Sequence, residues 1–146
     1  MHTFATETID AIRGKQSFEK LVIDDVCLLD EFEKEINSNP QHKSEYTTIL
    51  TYMNLVANGI SLPKTKFREI KGSKIKHKRY EFKKGQLRIY AFNKPNGKIV
   101  VMGGYKKDQE KDINKLSTSR HYAKTINYDT GRINPLERVL DSKIAN

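Results

Sequence analysis

The chain has 146 residues, of which 36% are hydrophobic and 31% are charged, and these proportions predict one compact, polar domain. The hydrophobic content excludes the disordered class, and the lack of an apolar run of about 18 residues excludes a transmembrane helix. The N-terminus has no apolar segment of the secretory type, and the single cysteine, Cys27, allows no internal disulfide. We therefore expect a cytoplasmic protein that does not associate with membranes.

The positive charge is concentrated in the middle of the chain. Residues 1–63 carry five Lys/Arg and ten Asp/Glu, whereas residues 64–107 carry 15 and two, a net charge of +13 for that segment. Residues 108–146 carry seven and six, so the overall net charge of +9 comes from the central segment. Such segregation favours a polyanionic partner, most often nucleic acid, with an acidic protein as the alternative.

The first half of the chain predicts one strand and two helices. Residues 1–17 are interpreted as an N-terminal extension, and FEKLVID at 18–24 as the first strand, with the start of a helix as the alternative. Asn39 is expected to cap the second helix, with Pro40 at its first position and Gly59 just after its end. Apolar residues at helical spacing predict the first helix, and they are Leu28, Leu29, Phe32 and Ile36.

The second half predicts a small sheet followed by a helix. A basic connection, with room for a short strand, leads into three antiparallel strands at about 77–83, 86–92 and 98–104. A helix is expected over 109–126, and residues 127–146 form a short helix or a loose tail. The fold class is therefore α+β, with a small antiparallel, mixed-edge sheet. The N-terminal helices cover one sheet face, and the other face is expected to be open.

A tight turn at Lys84 and Gly85 would fix the register of the first hairpin and place Glu81 opposite Arg88. Because side chains alternate along a strand, the apolar residues then share the core face. The open face receives Arg79, Glu81, Arg88 and Tyr90, and Lys106 and Lys107 are expected to close over it. The alternative is that the Glu–Arg pair only decorates the surface, contributing about 0.2–1 kcal/mol.

The segments YEFKKGQLRIYAF (80–92) and KIVVMGGYKK (98–107), followed by a helix, resemble the RelE/ParE superfamily of toxins, above all its HigB-like and phage-derived branch. The resemblance covers about residues 18–126 and implies a RelE-like domain. Members of the RelE type cut messenger RNA at the ribosome without a metal or other cofactor, by attack of the RNA 2′-hydroxyl on the adjacent phosphate. They are inhibited by an antitoxin encoded beside them. Here the antitoxin is expected to cover the basic face or a sheet edge.

The resemblance also implies roles for residues of the predicted open face. Arg88 would stabilise the phosphorane with its planar guanidinium, and Glu81 would orient Arg88 or accept a proton. The other catalytic candidates are Arg79, Lys106, Lys107 and Tyr105. The candidates for substrate binding are Lys78, Lys83, His77 and Tyr90.

Two positions depart from the family pattern. Lys83 stands where arginine is usual, and Ile113 falls where some members place a catalytic tyrosine, so that role passes to Tyr105 or Tyr122 or is missing. The acid–base candidates are His77 and His121, with plain surface histidines as the alternative.

The function expected from these observations is that of a metal-independent endoribonuclease toxin. The four histidines and the single cysteine show no metal-ligand spacing, and no cofactor is expected. The alternatives are a ParE-like toxin that is not a nuclease and an RNA-binding module that has lost catalysis.

Overall fold

The computed structural model describes residues 3–71 and 78–118, which form a six-stranded sheet with helices on both faces. The strands are β1 (Phe4–Thr8), β2 (Ser17–Ile23), β3 (Phe67–Ile70), β4 (Arg79–Lys84), β5 (Leu87–Lys94) and β6 (Gly97–Tyr105). The helices are α1 (Leu28–Ile36), α2 (Pro40–Ala57) and α3 (Gln109–Thr118), with a 3-10 turn at Lys106–Asp108 before α3. The predicted α+β class is confirmed. None of the described helices is both long and apolar enough to cross a membrane.

The sheet is mixed, with the strand order β1-β2-β6-β5-β4-β3. Strands β2 and β6 pair in parallel, and every other neighbouring pair is antiparallel. Strand β1 lies within residues 1–17, the segment for which the sequence predicts only an extension. Phe4 is the only buried residue of this strand, so the sequence shows no alternation of apolar and polar residues that would indicate a strand.

The predicted tail, 127–146, lies outside the described residues, as do positions 119–126 of the predicted third helix.

Helix α2 begins and ends as its sequence predicts. Asn39 precedes it in an extended conformation, and its side-chain Oδ1 accepts a hydrogen bond from the backbone N–H of His42 at 3.1 Å. Pro40 occupies the first helical position. After the helix, the N–H of Gly59 donates to the carbonyl of Val56 at 3.0 Å and closes the last turn.

The turn between β4 and β5 differs from the predicted one. Lys84 pairs with Leu87, so the turn residues are Gly85 and Gln86, and the predicted register is wrong by two residues. Glu45 of α2 explains the shift, because its Oε1 accepts the N–H of Gln86 at 2.9 Å. Gly85 has a φ of 55°, and a Cβ there would lie 2.2 Å from Oε2 of Glu45. A shift of two residues keeps every side chain on its predicted face.

The two sheet faces carry separate cores. On the first face, Phe82, Leu87 and Ile89 pack with α1 and α2. On the second face, Tyr90 packs with Leu116 of α3 and with apolar residues of the neighbouring strands. The prediction of an open, helix-free second face is therefore wrong. The apolar side of α3 needs burial of its own, and the second face is the sheet surface that α1 and α2 leave available.

Two adjacent glycines in β6 let helices approach the sheet closely from both sides. A Cβ on Gly103 would lie 2.3 Å from Cδ2 of Phe32, which belongs to α1. A Cβ on Gly104 would lie 2.2 Å from Oδ2 of Asp112, which belongs to α3. A larger residue at either position would therefore force the Phe32 ring or the Asp112 side chain to move.

The cap of α2 provides a test of the fold. Replacing Asn39→Ala removes the acceptor for the His42 N–H, and we expect the free energy of unfolding to fall by about 1 kcal/mol. The matched control is Thr51→Ala, on the exposed side of the same helix, for which we expect a change within about 0.5 kcal/mol. Urea denaturation measures both, and equal stabilities of the two variants would contradict the role assigned to the cap.

Candidate functional site

A pocket of about 270 Å³ lies where the β4–β5 turn meets α2 and the segment before β3. Four cationic side chains line this pocket, and no carboxylate is among its described lining residues. We call it the cationic pocket, and its residues are Tyr52, Thr65, Lys66, Lys83, Lys84, Gly85 and Arg88. A cavity with this lining favours an anionic ligand.

Arg88 lines the cationic pocket and also fixes the turn beside it. Its Nη1 donates to the carbonyl of Gly85 at 2.9 Å and to the carbonyl of Leu87 at 2.7 Å. The residue is only 7% exposed, and its Nε has no hydrogen-bond partner among the residues that the structure describes. Because two backbone contacts hold its guanidinium in place, Arg88 can present a charge in a fixed position.

Lys83 lies directly across the hairpin from Arg88. Burial lowers the pKa of the Lys83 ammonium; the carboxylate of Glu81 opposes this shift, and the positive charges of Arg68 and Arg88 add to it. A bound anion would relieve the repulsion among these cations. A lysine with a lowered pKa also releases a proton more readily than an ordinary one.

Glu81 is fully buried, with 0% exposure, and does not line the cationic pocket. Its Oε1 accepts from Nε of Arg68 in β3 at 2.7 Å, and its Oε2 accepts from the amide of Gln109 in α3 at 2.7 Å. The predicted pairing of Glu81 with Arg88 is therefore wrong, because the observed register places Arg68 and Tyr90 beside Glu81. Glu81 joins an edge strand to a helix and is not placed to accept a substrate proton.

Tyr90 lies in the core between the sheet and α3, away from the predicted contact with RNA. Burial raises the pKa of Tyr90, and the charges of Glu81 and Asp112 add to the rise. Its hydroxyl lies near Glu81 but makes no hydrogen bond of normal geometry within the described part of the chain. Burial also raises the pKa of Asp112.

Arg79 is at the other end of β4 from the cationic pocket. It pairs with Ile70 and Phe92, is 1% exposed, and has its pKa lowered by burial. Lys83, the partner of Arg88, lies four residues after Arg79, which is about 13 Å along the strand, so the structure does not bring Arg79 to Arg88. Lys78 is exposed beside Arg79. Three further candidates lie outside the described residues, and they are His77, His121 and Tyr122.

Tyr105 lies on the first sheet face, opposite to the face of Arg88. The cause is a β-bulge, because Tyr90 pairs with Met102 and Ala91 pairs with Val100, which leaves Val101 as an extra residue in β6. Beyond the bulge the alternation is reversed, so Tyr105 faces α1 and its hydroxyl donates to Oε2 of Glu35 at 2.6 Å.

Lys107 lies beside Tyr105. The sequence-based prediction that Lys107 closes over the face of Arg88 is therefore wrong. Its Nζ lies 5.9 Å from the centroid of the Tyr105 ring. Both residues line a second pocket of about 370 Å³. We call it the aromatic pocket, and its residues are Glu35, His42, Gln86, Tyr105 and Lys107. Lys106 is exposed, and its backbone N–H donates to the carbonyl of Gln86 at 2.7 Å.

Of the predicted site residues, Lys83 and Arg88 meet in one pocket, and Lys66 and Lys84 join them there. The sequence did not single out these last two, because a basic connection and a turn carry no periodic signal. The pocket can hold an anion and donate several hydrogen bonds to it. Among the described residues, no group of three or more His, Cys, Asp or Glu side chains is placed to hold a metal ion.

The buried carboxylate provides a test of the link between β3, β4 and α3. Replacing Glu81→Gln weakens the hydrogen bonds to Arg68 and Gln109, and because Arg68 is partly exposed we expect the free energy of unfolding to fall by about 1–3 kcal/mol. The matched control is Glu69→Gln, which breaks a more exposed ion pair with Lys71 at 3.1 Å and should cost less than about 1 kcal/mol. Urea denaturation distinguishes these values, and a Glu81→Gln protein as stable as the control would contradict the assignment.

The lowered pKa of Lys83 makes stability depend on pH. Because folding disfavours the charged ammonium, Lys83 lowers the free energy of unfolding at pH values below its pKa in the folded protein. This loss of stability disappears as the pH approaches 10.5, the ordinary pKa of lysine. We expect the wild-type protein to gain stability relative to Lys83→Met between neutral pH and 10.5. Urea denaturation along this pH series measures the difference. A difference that stays constant with pH would show that folding does not shift Lys83.

Comparison of this chain with family models, with curated proteins and with solved structures found no match. Function is therefore inferred from the two pockets and from the side chains that line them.

Proposed function

We propose that this protein binds single-stranded RNA through the cationic pocket and cleaves it there, as a metal-independent endoribonuclease toxin of the RelE type. The observation that carries the proposal is the convergence of Lys66, Lys83, Lys84 and Arg88 in one cavity. Phosphodiesters carry one negative charge each, and binding them to lysine and arginine releases counterions from the RNA. The planar guanidinium of Arg88 suits a pair of phosphate oxygens.

The proposed reaction is an attack of the RNA 2′-hydroxyl on the adjacent phosphorus. The bond from the 2′-oxygen to phosphorus forms, the bond from phosphorus to the 5′-oxygen breaks, and the proton of the 2′-hydroxyl leaves to water. Arg88 and Lys84 would stabilise the charge that develops on the phosphorane. Lys83 would donate its proton to the leaving 5′-oxygen, since its lowered pKa makes the ammonium a stronger acid. The products are a cyclic phosphate and a 5′-hydroxyl.

The substrate proposed from the family resemblance is messenger RNA at the ribosome, and the proposed inhibitor is an antitoxin protein. The charges of the cationic pocket support an acidic antitoxin segment, because carboxylates would pair with the same lysines that contact phosphate. Such a segment would exclude RNA from the pocket while it is bound.

A second candidate function is RNA binding without cleavage. Two observations favour it: Tyr105 lies on the face away from Arg88, and Glu81 is buried against Arg68 and Gln109. Neither residue is then placed to move a proton at the cationic pocket. In this case the pocket would still bind RNA, but the bound strand would remain intact.

Lys83 provides the test of the proposed function. Replacing Lys83→Met keeps the aliphatic stem, and we expect the rate of RNA cleavage to fall about 10²- to 10⁴-fold through the loss of the acid. The salt dependence of RNA binding should also decrease, with the slope of log K against log salt smaller by about 0.7. The matched control is Lys43→Met, an exposed residue of α2 outside the pocket, which should change neither quantity.

Cleavage of a defined RNA and binding by fluorescence anisotropy at several salt concentrations measure the two effects. A reduced salt slope with no cleavage by the wild-type protein would favour the second candidate. Growth arrest with DNA damage and intact messages would point to a ParE-like toxin. RNA binding that is equally affected by Lys43→Met and Lys83→Met would overturn the role of the cationic pocket.

A further inference from the structure

The two pockets adjoin at the turn between β4 and β5. Lys84 and Gly85 line the cationic pocket, and the next residue, Gln86, lines the aromatic pocket. Consecutive Cα atoms are about 3.8 Å apart, so a single turn forms part of the wall of both cavities. An extended ligand that crosses this turn would enter both pockets with neighbouring groups.

The turn that separates the pockets is held from several sides. Glu45 accepts the N–H of Gln86 at 2.9 Å and the side-chain amide of Gln41 at 2.8 Å. Arg88 donates to the carbonyl of Gly85 at 2.9 Å, and the N–H of Lys106 donates to the carbonyl of Gln86 at 2.7 Å. These contacts fix the spacing of the two pockets before any ligand binds, which lowers the cost of ordering the site.

The aromatic pocket has the groups that recognise an unpaired base. The rings of Tyr105 and His42 lie 5.4 Å apart at an interplanar angle of 48°, and aromatic rings of this kind are the usual surfaces on which unstacked bases lie. Glu35 supplies a carboxylate that accepts hydrogen bonds, and Lys107 supplies an ammonium that donates them.

The carboxylate of Glu35 is oriented by its neighbour. Its Oε2 accepts from the hydroxyl of Tyr105 at 2.6 Å, which uses one of about four lone-pair positions of a carboxylate. Burial and the hydrogen bond to Glu35 raise the pKa of Tyr105 to about 12, so the hydroxyl stays protonated at neutral pH. Glu35 therefore keeps its orientation and has lone pairs left for a ligand.

We propose that the aromatic pocket binds a guanine base of the RNA whose neighbouring phosphate occupies the cationic pocket. Guanine offers two adjacent N–H donors to the Glu35 carboxylate and offers acceptors, O6 and N7, to Lys107. Adenine and cytosine lack the donor pair, and uracil has one N–H. This inference rests on the proposed function and adds a base preference to it.

The experiment uses 2′-O-methyl strands, which lack the attacking hydroxyl. The full-length protein is titrated into labelled UUGUU, UUAUU, UUCUU and UUUUU at one salt concentration, with fluorescence anisotropy as the readout. We expect UUGUU to bind about 5- to 150-fold more tightly than the other strands. Wild-type protein that binds all four strands equally would overturn the guanine site and leave the proposed function standing. If the protein bound none of the four strands, both the guanine site and the proposed function would be overturned.

Two variants connect the preference to Glu35. Glu35→Gln keeps an oxygen for the Tyr105 hydroxyl, but it loses the negative charge and turns an N–H donor towards the donors of guanine. The preference for UUGUU should therefore disappear. The affinity for UUAUU should stay within twofold, which corresponds to about 0.4 kcal/mol. The matched control is Glu31→Gln, an exposed residue of the same helix, which should keep the preference. A guanine preference that survives Glu35→Gln in a folded protein would overturn the proposal.

Lys83→Met separates this inference from the proposed function in the same assay. Lys83 contributes to the cationic pocket alone, so its replacement should weaken all four strands by a similar factor and leave their ranking unchanged. A change in ranking caused by Lys83→Met would contradict the division into a phosphate pocket and a base pocket.

Discussion

The burial of the Glu81 carboxylate is the constraint on which the arrangement of the second sheet face depends. A fully buried carboxylate is costly unless its oxygens are paired, and here Arg68 from β3 and Gln109 from α3 pair with them. The edge strand β3 and the last described helix are thereby tied to β4. Glu81 is committed to these partners and does not line the cationic pocket. The described residues that line this pocket therefore include four cations and no carboxylate, and positive charge is concentrated at the edge of the face.

Local sequence patterns predict the helices well and the contacts between distant segments poorly. The Asn39–Pro40 start of α2 depends on adjacent residues, and it is found where the sequence places it. The hairpin register depends on Glu45, which lies forty residues before the turn, and no local pattern contains that contact. Strand β1 escapes prediction for a different reason, since Phe4 alone of its side chains is buried.

For the site, alternation predicts which face a side chain lies on but not how deeply it is buried. Arg79, Glu81 and Tyr90 do lie on the face of Arg88, as their spacing indicates, yet α3 and the neighbouring strands bury them. Lys83 and Arg88 remain at the pocket because they lie beside the turn. The chemistry at this point comes from the end of the hairpin, where strand residues and connecting segments meet.

The bulge at Val101 decides which cavity the end of β6 serves. The same residues in simple alternation, without a bulge, would place Tyr105 on the side of Arg88. Deleting Val101 would instead close the bulge and keep Tyr105 opposite Leu87, so the aromatic ring would still face α1. An evolving protein of this architecture could therefore lose the extra residue and keep the aromatic pocket, whereas a slip of the strand end by one residue would carry the tyrosine to the cationic pocket.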